Sequence, residues 1–414
     1  MVAGALRQSW YRQAVKAVFE VQSSLWNPSS QPLTHGLDKL RNDTRYITSW
    51  ANAGFSACRC FFLVNLIYLA SISDRVPIIP PFYPDHHIPR DAGVLAFSDV
   101  FDVNALSWHM RMPILEWSDI KASDGSGMQD TLGCWSTRPL TAKGPVGAPA
   151  LMQYLGLEAA YTHVPPWTRR SPDESDLYTM FWPLVQLSWP RDDNTRNLVA
   201  ERNAVWFPTD SGERTIPDLH VACFDYLFYV TASAGIYDFE WYHELSPAWR
   251  YVGQHIRFSQ LSKDRASAYT RKALDLEKSN SLPPYISVHI RRGDFAKQCP
   301  EGRCYIPLSR YDLQVKAVQQ ELLERRGLNV EHVIVSSDDT SHEFWEEIRS
   351  LGWSYVDHEA EKTAEKLGQW WSVVIDAAIQ GGAAGFVGTD HSTVSLLSVY
   401  RVSQWNGGAT RMVK

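Results

Sequence analysis

From Tyr285 onward the chain alternates short apolar runs with longer amphipathic ones. Tyr285-Ile286-Ser287-Val288-His289 and His332-Val333-Ile334-Val335-Ser336 are apolar runs of strand length. Between them Tyr311, Val315, Val318 and Leu322 recur at the spacing of one helix face, which predicts a helix over 311–325. The pattern continues as a helix over 341–351, a short strand over 353–356, a helix over 369–380, a strand over 385–388 and a final helix over 392–400. Strand–helix repeats of this kind predict a parallel sheet covered on both faces.

The preceding residues are less regular. A strand over 45–50, a turn at Asn52-Ala53-Gly54-Phe55-Ser56, a helix over 61–72 and a strand over 76–80 read as a βαβ unit. Residues 83–220 are rich in Pro, Trp and Asp and read as insertions and long loops. A strand resumes over 219–230, and a charged helix follows over 262–277. Residues 279–284 end in two prolines and mark a boundary. Ahead of all this, a helical pattern over 9–25 is broken by Asn27-Pro28-Ser29-Ser30. The sequence thus divides into a peripheral segment (1–45), an N-terminal Rossmann-like domain with long insertions (46–280) and a C-terminal Rossmann-like domain (281–414). Asn42-Asp43-Thr44 in the first segment is a glycosylation sequon and reads equally well as an unused surface turn.

Length and composition agree with two folded domains. The 414 residues exceed one ordinary core, and 44% hydrophobic with 21% charged residues is usual for a globular chain. A formal net charge of −6 argues against nucleic acid as a partner. The longest apolar run, residues 61–72, is interrupted by Asn65 and falls short of the roughly 20 residues a spanning helix needs, so no membrane span is expected in this chain. The 17 Trp and 18 Tyr fill cores, and such rings also stack on sugar faces.

Metal chemistry finds little support. The six cysteines form no Cys-x-x-Cys pair, and no Asp-x-Asp triplet occurs. Asp85-His86-His87 lacks a spaced third ligand and reads as a solvated loop. There is no Gly-x-x-x-x-Gly-Lys-Ser/Thr loop for a nucleoside triphosphate. Neither a metal nor a cofactor is expected.

The sharpest chemistry lies at His289-Ile290-Arg291-Arg292-Gly293-Asp294-Phe295, just past a buried strand. In open α/β sheets ligands bind at that end of the strands. Two adjacent guanidinium groups there supply planar donors for phosphate oxygens, and also suit a structural Arg–Asp network. A second segment, Phe386-Val387-Gly388-Thr389 followed by Ser392-Thr393, places hydroxyls where a strand turns into a helix. Helix N-termini bind phosphate, and the same geometry lets Ser392 act as a simple cap.

The run His289-x-Arg291-Arg292-x-Asp294-Phe295 resembles the first signature of the protein O-fucosyltransferases, and its His-x-Arg-Arg core is similar to that of the α1,6-fucosyltransferases. Asp376, then Phe386-x-Gly388, then Ser392-Thr393 match a second family pattern in order and offset. Ser336-Ser337-Asp338-Asp339 resembles a middle motif and reads equally well as an exposed acidic turn. In the first loop, Ala57-Cys58 stands where the family has Asn-Gln, and Ala53 stands where one branch has a Glu base.

The resemblance implies a GT-B-like α/β fold, two Rossmann-type domains facing across a cleft. The N-terminal domain would be the acceptor side and the C-terminal domain would bind the GDP-sugar. It implies inverting, metal-independent transfer of fucose from GDP-fucose to a hydroxyl of a protein or glycan. Arg291 would be catalytic, neutralising the leaving β-phosphate. His289, Arg292, Asp294, Asp376, Ser392 and Thr393 would bind GDP-fucose. The same scaffold also suits a non-catalytic sugar-nucleotide-binding or lectin-like protein, or another nucleotide sugar. The family works in the endoplasmic reticulum or Golgi lumen, and no targeting segment is visible in this chain. A lumenal setting favours a disulfide between Cys299 and Cys304 across their short loop.

Overall fold

The structure is a computed structural model that describes residues 36–50, 58–84, 88–121, 129–189, 205–217, 220–235, 239–243, 246–277, 281–293 and 305–414. The chain forms two compact units. Described residues up to Arg257, apart from Ile88–Ala92, make the first, and Phe258–Lys414 forms the body of the second.

The first unit begins with the βαβ element expected from the sequence. Strand β1 (Tyr46–Ser49) leads through helix α1 (Cys58–Ile72) to strand β2 (Val76–Ile79), parallel to β1. Both strands are buried at every position, which explains their unbroken apolar character. Helix α1 is apolar nearly all round because it is enclosed nearly all round. Asn65, the polar residue inside that run, is buried and donates Nδ2 to the carbonyl of Leu227 at 2.7 Å.

Residues 83–220 hold more regular structure than the sequence suggested. They contain β3 (Leu115–Glu116), β4 (Asp130–Ser136), helix α2 (Pro149–Leu155), β5 (Leu157–His163), β6 (Thr179–Met180) and helix α3 (Phe181–Ser188). β7 (Val221–Phe224) and β8 (Val230–Thr231) replace the single strand expected over 219–230. Six strands form a parallel sheet in the order β3-β2-β1-β7-β4-β5. β4 and β5 escaped notice because Thr131, Gly133, Ser136, Glu158 and Thr162 dilute their apolar pattern. Gly133 is required there: a Cβ would lie 1.8 Å from the carbonyl oxygen of Ile216.

A disulfide joins Cys134 of β4 to Cys223 of β7, which face each other in register. The bridge expected between Cys299 and Cys304 lies outside the described residues, as do the first-loop positions Ala53 and Ala57 and the loop Asp85-His86-His87. No helix among the described residues is long and apolar enough to cross a membrane.

The second unit follows the sequence reading closely. Helix α4 (Gln260–Ala273) precedes β9 (Tyr285–Ile290), α5 (Leu308–Arg326), β10 (His332–Ser337), α6 (His342–Ser350), β11 (Ser354–Tyr355), α7 (Trp371–Gly382), β12 (Gly385–Thr389) and α8 (Thr393–Asn406). The anticipated face of α5, Tyr311, Val315, Val318 and Leu322, is buried against Ile286, Val288, Val333 and Val387. One strand was missed. The chain returns after α8 as β13 (Ala409–Val413), whose three middle positions are half-buried. A sheet edge imposes little apolar pattern, so it gave no signal.

The five strands are parallel in the order β11-β10-β9-β12-β13. From β9 the chain builds outward to β10 and β11, then crosses back to lay β12 on the other side of β9. The reversal opens a crevice at the carboxyl ends of β9 and β12, the place where open α/β sheets bind ligands.

Candidate active site

Strand β9 is buried to its last residue, Ile290. Arg291 and Arg292 follow it directly into the crevice. Strand β12 ends at Thr389, and helix α8 starts four residues later at Thr393. The two expected motifs, about 100 residues apart in sequence, therefore meet at the reversal point of the sheet.

Thr389 stitches them together. Its Oγ1 donates to the His289 carbonyl at 3.1 Å, accepts from the Arg291 N–H at 2.8 Å, and lies 2.7 Å from the Tyr311 hydroxyl. Ser395, on the first turn of α8, makes the second link. Its Oγ accepts from the Thr389 N–H at 3.0 Å and lies 2.8 Å from His289 Nδ1. Gly388 makes this closeness possible, since a Cβ there would sit 2.6 Å from the Ser395 Cβ. The glycine of Phe386-Val387-Gly388-Thr389 thus has a packing cause.

Ser392 is buried and caps α8, its side chain accepting from the Ser395 N–H at 3.4 Å. Thr393 is the first helical residue and half-buried. Beyond that capped N–H, the N–H groups of Thr393 and Val394 have no acceptor within the helix, the usual setting in which helix starts bind anions.

The arginines are held by the segment that followed β10. Arg291 Nη1 pairs with Asp338 Oδ2 at 2.5 Å, and Arg292 Nη1 with Asp339 Oδ2 at 3.0 Å. The Arg292 backbone N–H also donates to Asp338 Oδ1 at 2.7 Å. Gly293 leaves room for this, because a Cβ would lie 2.3 Å from Asp338 Oδ2. The Arg292 guanidinium also lies over the rings of Phe344 and Tyr305, 4.5 and 4.6 Å from their centroids. Ser336-Ser337-Asp338-Asp339 is therefore not a free acidic turn but the counter-charge of the arginine pair. Burial tends to raise the Asp339 carboxyl, yet bonds from Ser341 and Arg292 bring it below its ordinary range. Burial pushes the His289 imidazole down to about 4; Asp338 opposes this and Arg291 adds to it. His289 is accordingly neutral near pH 7.

Asp376 stands on α7 and bonds His358 rather than the arginines, with Oδ1 3.0 Å from Nε2. Asp294 lies outside the described residues. The crevice therefore brings together His289, Arg291, Arg292, Ser392 and Thr393. The sequence reading missed three partners of the motif residues. Thr389 stood inside a quoted motif without a role, and Ser395 was signalled only by its place three residues after the cap. His358 had no signal, because its partner is 18 residues away on another element.

Two guanidinium groups, a neutral imidazole and the capped start of α8 thus gather at the carboxyl ends of β9 and β12. No curated protein sequence matches the chain. Among solved structures it resembles POFUT1 in complex with GDP, with 15% identity and a TM-score of 0.54 over 90% of this chain and 99% of that one. It likewise resembles POFUT1 in complex with GDP-fucose, with 15% identity and a TM-score of 0.53 over 90% of this chain and 98% of that one. At such identities the likeness is one of fold, an α/β architecture built on parallel sheets. The family itself is shown by the sequence, because the model for GDP-fucose protein O-fucosyltransferase matches residues 46–400. The whole first sheet, four of the five strands of the second and the arginine crevice fall within that span, and this chain belongs to the GDP-fucose protein O-fucosyltransferase family.

Proposed function

We propose that this protein transfers fucose from GDP-fucose to a hydroxyl of a protein or glycan, with inversion and without a metal ion. The observation that carries this reading is the joining of the two motifs at the ends of β9 and β12, where the Arg291 N–H donates to Thr389 four residues before α8 begins. Family membership supplies the donor class, and POFUT1 structures hold GDP and GDP-fucose.

In this reading the diphosphate lies against Ser392, Thr393 and the first N–H groups of α8. Arg291 donates to a β-phosphate oxygen. The acceptor hydroxyl oxygen attacks the anomeric carbon from the face opposite GDP and loses its proton to water. The bond from that carbon to the β-phosphate oxygen breaks, and its electron pair stays on GDP. Guanidinium donors held in place stabilise the charge that accumulates there. Asp338 keeps the Arg291 side chain at the crevice before substrate arrives. His289 and Arg292 shape the same wall, and His289 contributes no charge of its own near pH 7.

The Cys134–Cys223 disulfide supports an oxidising compartment, in keeping with the lumenal setting the family resemblance implies. The test is release of GDP from GDP-fucose in the presence of EDTA, with a glycan or protein acceptor. Turnover that survives chelation supports the proposal. Turnover that needs added manganese overturns its metal-free part, and absence of GDP release with every acceptor class overturns the transferase reading.

A further inference from the structure

The triplet Asn42-Asp43-Thr44 takes no part in the crevice, yet its place in the fold is specific. It is the chain's only Asn-x-Ser/Thr triplet whose middle residue is not proline. It forms a turn just ahead of β1, closed by the Thr44 N–H donating to the Arg41 carbonyl at 3.3 Å. The base of the turn is pinned. The Arg41 N–H donates to the Tyr46 hydroxyl at 3.1 Å, and the Arg41 carbonyl lies 2.8 Å from His220 Nε2. At the tip, Arg41 Nε holds Asp43 Oδ1 at 2.8 Å. Asn42 is exposed; Arg45 Nη1 donates to its carbonyl at 3.0 Å, and its side-chain amide has no partner among the described residues.

Beside the turn lies a hollow of 670 Å³ within the first unit. Asn42 and Thr44 line it together with Asp74, Arg111 and Tyr251. Asp74 and Arg111 are exposed, and the Tyr251 ring is half-exposed. Arg75, also in the lining, is buried and donates Nη1 to the Tyr46 carbonyl at 2.7 Å, which makes that part of the wall rigid. Charged side chains around an aromatic ring suit a sugar, which takes hydrogen bonds at its hydroxyls and stacks its apolar face. The hollow lies at the amino edge of the first sheet, where Tyr46 and Val76 open β1 and β2 in register. Open α/β sheets take their ligands at the other edge. The Cys134–Cys223 disulfide of the same unit needs an oxidising compartment, the setting in which asparagine-linked sugars are added.

We propose that Asn42 carries an N-linked oligosaccharide whose first sugars rest in this hollow. In the attaching step, Asn42 Nδ2 attacks C1 of an oligosaccharide carried on a lipid diphosphate and presented by a lumenal transferase. The N–C1 bond forms and the C1–O bond to the diphosphate breaks. The electron pair leaves with the lipid diphosphate, and Nδ2 gives one proton to a base of the transferase. Thr44 supplies the hydroxyl that such a triplet needs at its third position. The proposal does not depend on the donor reading.

The test expresses the full chain in eukaryotic cells behind a secretion leader and maps its peptides by mass before and after peptide N-glycosidase. Expected is a glycosidase-sensitive oligosaccharide on Asn42 in the wild type and in Thr44→Ser, and none in Asn42→Gln or Thr44→Ala. Protein that has formed the Cys134–Cys223 disulfide and still carries a bare Asn42 overturns the proposal. Stripping the oligosaccharide from folded wild type should lower the melting temperature by roughly 2–4 °C. Tyr251→Ala should shrink that shift, because the ring no longer meets the sugar. A melting temperature that the glycosidase does not move, or a shift of the same size in Tyr251→Ala, overturns the seating in the hollow. The glycosidase acts on protein already folded, so this readout holds even where Asn42→Gln does not fold.

Discussion

Arg291 and Asp338 form an ion pair at 2.5 Å, although 47 residues separate them in sequence. Both side chains remain partly exposed, at 15% and 25%. The pair therefore fixes a direction more than it adds stability, since partly solvated ion pairs contribute little. A guanidinium already aimed along the crevice loses less freedom when a phosphate arrives.

Arg291→Lys is expected to be nearly as damaging as Arg291→Ala. A guanidinium makes two parallel bonds to phosphate, while an ammonium is a flexible point charge. Loss of such a donor costs on the order of 100- to 1,000-fold in rate. The measurement is kcat for both variants, with circular dichroism as a fold control. Near-wild-type kcat in Arg291→Ala would remove this residue from the mechanism; unfolding of both variants would assign it to the supporting Arg–Asp network.

GDP should protect the protein thermally and UDP should not. A ligand at 100 times its dissociation constant adds about 2.7 kcal/mol when only the folded state binds it. Melting curves with each nucleotide decide the matter, and equal shifts count against a guanine-selective site.

Gly388→Ala should destabilise the second unit by about 1–3 kcal/mol, the usual cost of overpacking. The new methyl would push on Ser395, the hydroxyl that serves both His289 and Thr389. Chemical denaturation gives the stability. Nucleotide affinity should fall in parallel, because the displaced turn carries the N–H groups proposed to hold the diphosphate.

Acid should weaken the fold through His289. Its imidazole titrates at about 4 in the folded protein, against an ordinary value of 6.5. Between these values the unfolded chain binds a proton that the folded one refuses. Stability is therefore full above about pH 6.5 and falls as the pH drops toward 4, by up to about 3 kcal/mol. Denaturation across that range, compared with His289→Gln, isolates the effect. An identical pH slope in the variant would show that His289 does not contribute.

The second unit was legible in the sequence because its strands are buried on both faces. Ile286, Val288, Val333, Val335 and Val387 keep the strands largely apolar, with Ser287 and His289 buried among them, and the face of α5 keeps strict helical spacing. β4 and β5 were not legible, since Gly133 answers to a backbone passing over it rather than to strand propensity. The arginine pair stood out for a related reason: two charges directly after an apolar run break its pattern. The partners of those residues were harder to find. Thr389, Ser395, Asp338 and His358 act through long-range bonds. Only the folded sheet supplies that proximity.

The order of the first sheet has a consequence for how the chain is made. β7 is drawn from residues 221–224, later than any other strand of that sheet, yet it lies between β1 and β4. During synthesis β1 through β5 emerge as two blocks with an open seam. Only when β7 leaves the ribosome can it fill that seam, and Cys223 then meets a thiol made 89 residues earlier. Oxidation of Cys134 is thus a record of assembly order. A nascent chain stopped short of Cys223 has no native partner for Cys134 and offers that thiol to foreign ones, so the keystone strand is also the point at which the half-made protein is most exposed to mispairing.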